Sequence, residues 1–342
     1  MSEKTFMRRE VEEIPAATRR FLAGNAEQLK AAGKALRDKD PVAIATIARG
    51  SSDHASSFIK YAIELTAGVP VASVGPSVMS IYGKELKFKQ FATIAISQSG
   101  KSPDIVALAK SAKASGALSF ALTNTADSPL AATSDFTIDL RAGPEKSVPA
   151  TKSFVSSIVA GLSLLGHWVE DAELLAAVAR LPDVFEEALN ADWSPLGAAL
   201  DGRSSLYVLG RGPSLAIAGE VALKFKEICG LHAEAYSSAE VIHGPVAIVD
   251  EGYPVIAFAA RDAAEQSVVD VADTLAGRRA AAFVTSNAAK AAQVLPHVQT
   301  GHALTDALAP VVSFYSFVEA LAAQRGLNPD TPRNLKKVTE TV

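Results

Sequence analysis

One cysteine, Cys229, in 342 residues excludes an intrachain disulfide, a cysteine-rich metal site and the disulfide-stapled secreted scaffolds. A reducing compartment, the cytosol, is the expected location. A basic surplus is missing too: 33 Lys and Arg stand against 37 Asp and Glu, for a net charge of -4. Sequence-independent nucleic-acid binding needs the opposite balance. No stretch approaches the roughly 18 uninterrupted apolar residues of a membrane span. The segment Met1–Arg20 is charged and lacks the apolar core of a signal peptide. Neither nucleic acid nor membrane is expected as a partner. Besides His243, the histidines (His54, His167, His232, His297 and His302) form no grouping that suggests a metal site.

What is there is a foldable α/β chain. Hydrophobic residues make up 49% of it, and the length suggests about two domains. Short strands apolar on both faces, Ala43–Ala48 and Phe91–Ile96, alternate with helical stretches at Ser52–Ala67 and Pro103–Ala114. That order predicts a parallel sheet covered by helices on both faces. The order then recurs about 160 residues later. Arg49-Gly50-Ser51-Ser52 is answered by Arg211-Gly212-Pro213-Ser214, Ile94 by Ile256, and Leu122-Thr123-Asn124 by Val284-Thr285-Ser286. A repeat this long means two copies of one domain, not a solenoid. The first copy is expected at about 25–165 and the second at about 195–325, with Asn190–Pro195 in the linker and 326–342 as a polar tail. Phe154–Val169 is apolar at helical spacing and closes the first copy.

The copies disagree most at the end of one strand. The first runs into Ser97-Gln98-Ser99-Gly100-Lys101-Ser102-Pro103-Asp104, the second into Ala259-Ala260-Arg261-Asp262. Only the first is rich in hydroxyls. Such a turn suits a phosphate: glycine admits close approach, Ser and Gln donate, and Ser-Pro-Asp opens a helix whose amides could face an anion. In open α/β sheets ligands sit at the carboxyl ends of the strands, where this turn falls. The plainer alternative makes Ser102 a helix N-cap and the other serines loop filler. The turn Ala48–Ser52 presents two more hydroxyls at the same sheet edge. Arg211–Ser214 is the weaker anion site, because Pro213 lacks an amide donor.

The second copy has its own surplus: Glu220, Lys224, Lys226 and Glu227 on one predicted helix, then Glu234, Glu240 and His243-Gly244-Pro245. A solvated ion-pair face explains Glu220 and Lys224, which are four apart. Against it, Glu227 falls near the C-terminal end of an apolar helix, where the dipole does not favour a carboxylate. His243 lies in a polar loop, where imidazole exchanges protons near neutral pH. A carboxylate and a histidine are the minimum set for moving a proton beside a carbonyl.

These residues resemble the sugar isomerase (SIS) family, and within it the isomerase half of glucosamine-6-phosphate synthases. The matching motifs run from Glu10–Pro15 through Ala48–Ser52, Ser97–Gly100, Gly143–Lys152, Ala222–Ile228 and His243–Pro245 to Pro332–Lys337. The resemblance implies two tandem SIS domains with a C-terminal tail. It implies that Ser51, Ser52, Ser97, Gln98, Ser99 and Ser102 hold a sugar phosphate. Glu227 would shuttle a proton between C-1 and C-2, and His243 would open the ring from the partner subunit of a homodimer. Lys337 would lie near the sugar carbonyl, Lys224 and Arg333 would support the site, and Val148 would give a backbone contact. No metal or organic cofactor is implied.

Three positions depart from the synthase pattern: Ala150 replaces a serine that touches the sugar, Ile242 a lysine and Ala239 a glycine. The chain also begins Met1-Ser2, without the synthase's N-terminal cysteine or room for a glutamine-hydrolysing domain. The expected reaction is therefore that of the deaminating relatives, glucosamine-6-phosphate to fructose-6-phosphate and ammonia. An isomerase or deglycase acting on another amino-sugar or sugar-amine phosphate is the alternative, kept open by Ala150 and Ile242. A non-catalytic sugar-phosphate sensor is the alternative of another class. Regulators of that kind need a DNA-binding domain, for which the segment before the first copy is too short.

Overall fold

The computed structural model describes residues 4–337. They form two compact units, one of residues 16–145, 152–179 and 336–337, the other of residues 4–15, 146–151 and 180–335. The first unit carries β1 (Ala43–Ile47), β2 (Val71–Ser73), β3 (Phe91–Ile96), β4 (Leu118–Thr123) and β5 (Phe136–Asp139) in the order β2-β1-β3-β4-β5. Every pairing is parallel. The register sets Ile47 beside Ala95 and Ala95 beside Ala121 on one face. There they pack with Ile105, Leu108 and Ala112 of the Pro103–Ala114 helix. Ile44, Ile94, Ile96, Phe120 and Leu122 point the other way and are equally buried. A strand buried on both faces cannot alternate polar and apolar residues, hence the continuous apolar runs.

On that second side the Ser51–Thr66 helix packs against Lys152–Val169. Nearly every residue of Lys152–Val169 is buried, and Gly161 lets the two approach, since a Cβ there would press on the Ile59 side chain. The expected elements hold with small shifts: β1 stops at Ile47, the first helix runs Ser51–Thr66, and the closing helix starts at Lys152.

The second unit repeats this architecture with β6 (Ser205–Gly210), β7 (His232–Ser237), β8 (Pro254–Ala257), β9 (Ala281–Val284) and β10 (Gln293–Val294), ordered β10-β9-β8-β6-β7. Read from its other edge, this is the order of the first sheet, strand for strand. Tandem copies of one parallel α/β domain follow. The Pro213–Cys229 helix packs on Pro310–Gln324, with the Phe225 and Phe314 rings 5.1 Å apart. The stretch Ala303–Gln324 is apolar and long enough to cross a membrane, but most of it is buried inside the protein; it is a core element.

The segment read as a linker is more structured than expected. Trp193 is buried against Phe258, Phe314 and Phe317, its indole N–H donates to the Pro296 carbonyl at 2.9 Å, and a short helix begins at Ser194. Of the tail, Asp330 accepts from the Phe6 and Met7 amides, and residues 338–342 lie outside the described residues.

Candidate functional site

In the first sheet the chain reverses its winding between β1 and β3, the place where such sheets open a crevice at the strand carboxyl ends. A cavity of about 320 Å³ lies there, walled by the turns after β1 and β3. Ser52, Ser97, Gln98, Ser99 and Ser102 line it together with Arg49 and Lys337. Ser51, in the first turn of the Ser51–Thr66 helix, is half-buried and is not on the wall.

Gly50 caps that helix at φ 57° and ψ -133°, a conformation that only glycine adopts without strain. Gly100 holds φ 62°, and a Cβ there would overlap Ser128. The turn is tied by the Gly100 amide donating to Ser97 Oγ at 3.1 Å and the Lys101 amide donating to Ser99 Oγ at 3.3 Å. A hydroxyl that accepts in this way keeps its own proton to donate.

Two details of the Pro103–Ala114 helix change the sequence reading. Ser102 occupies the N-cap position but makes no side-chain capping bond, so its hydroxyl is not spent on the helix. The amides expected to face an anion are partly lost, because Pro103 has none and the Ile105 amide donates to Asp104 Oδ1 at 2.8 Å. Asp104 is fully buried and pairs with Arg49 Nε. Burial pushes the Asp53 carboxyl up, while the Arg49 charge and a Ser73 hydrogen bond work the other way.

Lys337 Nζ lies 3.0 Å from Glu145 Oε2 and is a quarter exposed, whereas the Glu145 side chain is fully buried. Glu145 also accepts from the Ser153 amide at 3.0 Å and the Ser153 hydroxyl at 2.7 Å, at the start of the Lys152–Val169 helix. The lysine expected near a sugar carbonyl thus shares a cavity with the hydroxyl-rich turns.

The second unit holds the charged helix. Lys224 Nζ is 3.2 Å from Glu220 and 2.6 Å from Glu227, with Lys224 and Glu220 fully buried and Glu227 20% exposed. Tyr315 donates to Glu220 at 2.8 Å. Burial alone would lower the Lys224 pKa, but the two carboxylates outweigh it and raise it. A solvated ion-pair face is therefore the wrong description. Glu227 stands in the last turn before the left-handed cap at Gly230, where Lys224 offsets the adverse helix dipole.

His243 is exposed at the end of a single 3-10 turn, next to Ile242, which is 52% exposed. Val148 is half-buried, its amide donating to the Asp330 carbonyl at 2.9 Å, and Arg333 is exposed. Ser147, beside Val148, donates to the buried Glu10.

The sequence reading missed Arg49 on the cavity wall, and the buried Asp104 and Glu145 that pair with Arg49 and Lys337 from behind it. Arg49 had a signal, since it recurs as Arg211 before the matched glycine. Asp104 and Glu145 act through side chains distant in sequence, which no local pattern reveals.

The SIS domain profile matches residues 36–165 and 200–317. Isomerizing glutamine–fructose-6-phosphate aminotransferase of Sulfurisphaera tokodaii is 32% identical over 337 residues, 97% of this chain and 56% of that protein. The chain thus spans little more than half the length of the curated relatives it matches. A protein of Silicibacter pomeroyi DSS-3, provisionally named a phosphosugar isomerase, superposes with a TM-score of 0.93 at 54% identity, covering 96% of this chain and all of that one. The C-terminal domain of glucosamine-fructose-6-phosphate aminotransferase from Francisella tularensis superposes with a TM-score of 0.86 at 26% identity, covering 97% of this chain and 99% of that domain.

Proposed function

Because the chain belongs to the SIS domain family, we propose that it is a phosphosugar aldose–ketose isomerase, and that its reaction is glucosamine-6-phosphate and water to fructose-6-phosphate and ammonia. The observation that carries the chemistry is the Glu220–Lys224–Glu227 cluster. A carboxylate held at 2.6 Å by a buried lysine is fixed in position for proton transfer. The relatives named above, one provisionally named a phosphosugar isomerase and two named for fructose-6-phosphate, support a phosphorylated sugar as substrate.

In this reading the cavity beside Ser97–Ser102 takes the phosphate, with Ser51 supporting the turn from the adjoining helix. His243 opens the ring, acting from the second subunit of a homodimer. Its exposure, with Ile242 and Ile248 exposed beside it, supports a working surface there. Glu227 removes the C-2 proton of the open amino aldose and returns it to C-1, leaving a C-2 imine. Water adds to the imine, and ammonia leaves. Val148 contributes a backbone contact, and Lys337 and Arg333 serve from the tail. The enzyme works in the cytoplasm, consistent with its single, buried thiol.

The test is release of ammonia and fructose-6-phosphate from glucosamine-6-phosphate by the purified protein. Equal release of both supports the reaction. No release, with glucosamine-6-phosphate still bound, overturns it in favour of a second reading, in which the same residues act on another sugar-amine phosphate. Half-buried Ala150 and exposed Ile242 favour that reading, since both differ from the synthase pattern.

A further inference from the structure

We propose that Arg49 is the cationic ligand of the phosphoryl group in the first-unit cavity and that Asp104 is its positioning residue. The inference rests on the phosphosugar reading above and adds a binding residue to it. Arg49 lies on the cavity wall with Ser52, Ser97, Gln98, Ser99 and Ser102, and its side chain is 43% exposed while that of Asp104 is fully buried; Lys337, the other cation on the wall, is engaged by Glu145 at 3.0 Å. Among the described residues the pair engages Nε. The two Nη groups of the planar fork therefore keep their donors, the geometry that suits a phosphate.

The helix start makes this cation necessary. Pro103 has no amide and the Ile105 amide is taken by Asp104, so the helix offers an anion less than its position suggests. Asp104 also brings a negative charge close to the cavity. Without Arg49 that charge would repel a phosphate, and a buried carboxylate would lose its guanidinium partner. With Arg49, Asp104 becomes an anchor that fixes the fork from behind. Hydroxyls and the Gln98 amide read the phosphate as neutral donors, and Arg49 supplies charge.

The test titrates the full-length protein with inorganic phosphate and measures kcat and KM on glucosamine-6-phosphate. The variants are Arg49→Gln, Arg49→Lys, the double variant Arg49→Gln/Asp104→Asn, and Lys110→Gln, a charge control on the exposed side of the same helix. The double variant keeps the net charge of the cavity and leaves no buried carboxylate unpaired, so it remains informative if Arg49→Gln misfolds.

Loss of one charge-assisted contact should weaken phosphate about 10-fold or more in both Gln-bearing variants. KM should rise similarly with kcat little changed. Arg49→Lys should recover only part of the affinity, because a point charge does not replace the fork, and Lys110→Gln should match wild type. Wild-type phosphate affinity in the double variant, or no phosphate binding by the wild type, overturns the proposal. If phosphate binding depends on Arg49 but glucosamine-6-phosphate is not turned over, this inference stands and the proposed reaction fails. If turnover is present and KM is indifferent to Arg49, the reverse holds.

Discussion

The helices that follow β1 and β6 begin alike and are then put to different uses. Gly50 and Gly212 cap them with φ 57° and ψ -133° in one and φ 58° and ψ -136° in the other. Counting on from those glycines, Phe58, Ala62 and Leu65 of the first helix correspond to Glu220, Lys224 and Glu227 of the second. Phe58 and Ala62 are core residues and Leu65 is exposed, whereas the second helix buries an ion cluster in the same places. The turns after β3 and β8 differ in the opposite sense, hydroxyls in the first unit against Ala259 and Ala260, both buried, in the second. Duplication preserved the backbone while the side chains diverged, leaving a hydroxyl-lined cavity in one copy and a buried ion cluster in the other; the proposed function assigns anion binding to the first and proton transfer to the second.

The largest effect should come from breaking the cluster that only the second copy has. Lys224→Met removes the lysine that both carboxylates share, one of them fully buried, and should cost about 3–5 kcal/mol in urea denaturation. Next comes the turn that only the first copy has. Gly100→Ala adds a Cβ that overlaps Ser128 at φ 62°, and should cost about 3 kcal/mol and raise the phosphate dissociation constant. The shared caps should respond equally. Gly50→Ala and Gly212→Ala meet nothing within 4 Å, so each pays only for its backbone, about 1–3 kcal/mol, and the two should agree within error. Unequal costs would show that the copies differ in backbone as well as chemistry.

The smallest effect concerns Cys229. Burial pushes its thiol up to about 12, with Arg325 pulling slightly the other way. A thiol that stays protonated does not attack. Ellman's reagent at pH 8 should therefore leave the folded protein unmodified and react only after unfolding.

Much of this division was legible in the chain. The repeat carried from Arg49 to Arg211, and the turn Ser97–Ser102 could be read as an anion site because glycine, hydroxyls and a helix start fall together. What could not be read was partnership at a distance. Whether Glu220 and Lys224 face solvent or core depends on Tyr315 and the Pro310–Gln324 helix, about 90 residues further on, and spacing on one helix is the same in either case. In the same way Ser102 looked like a cap, and only the backbone shows that its hydroxyl caps nothing. Trp193, in a stretch whose Asn, Asp, Ser and Pro mark a loop, is a buried anchor because its indole finds the Pro296 carbonyl.

The proposed division of labour is tested most directly by following deuterium uptake at C-1 of fructose-6-phosphate in D2O containing ammonium, which re-forms the imine, by NMR for wild type, Glu227→Gln and Ser99→Ala. Removing the base should slow exchange by about 100-fold or more while the dissociation constant for fructose-6-phosphate stays within a few-fold of wild type. Ser99→Ala should weaken binding but leave exchange at saturation near the wild-type rate. Wild-type exchange in Glu227→Gln, or a Ser99→Ala variant that binds normally yet cannot exchange, would contradict the assignment of binding to one copy and proton transfer to the other.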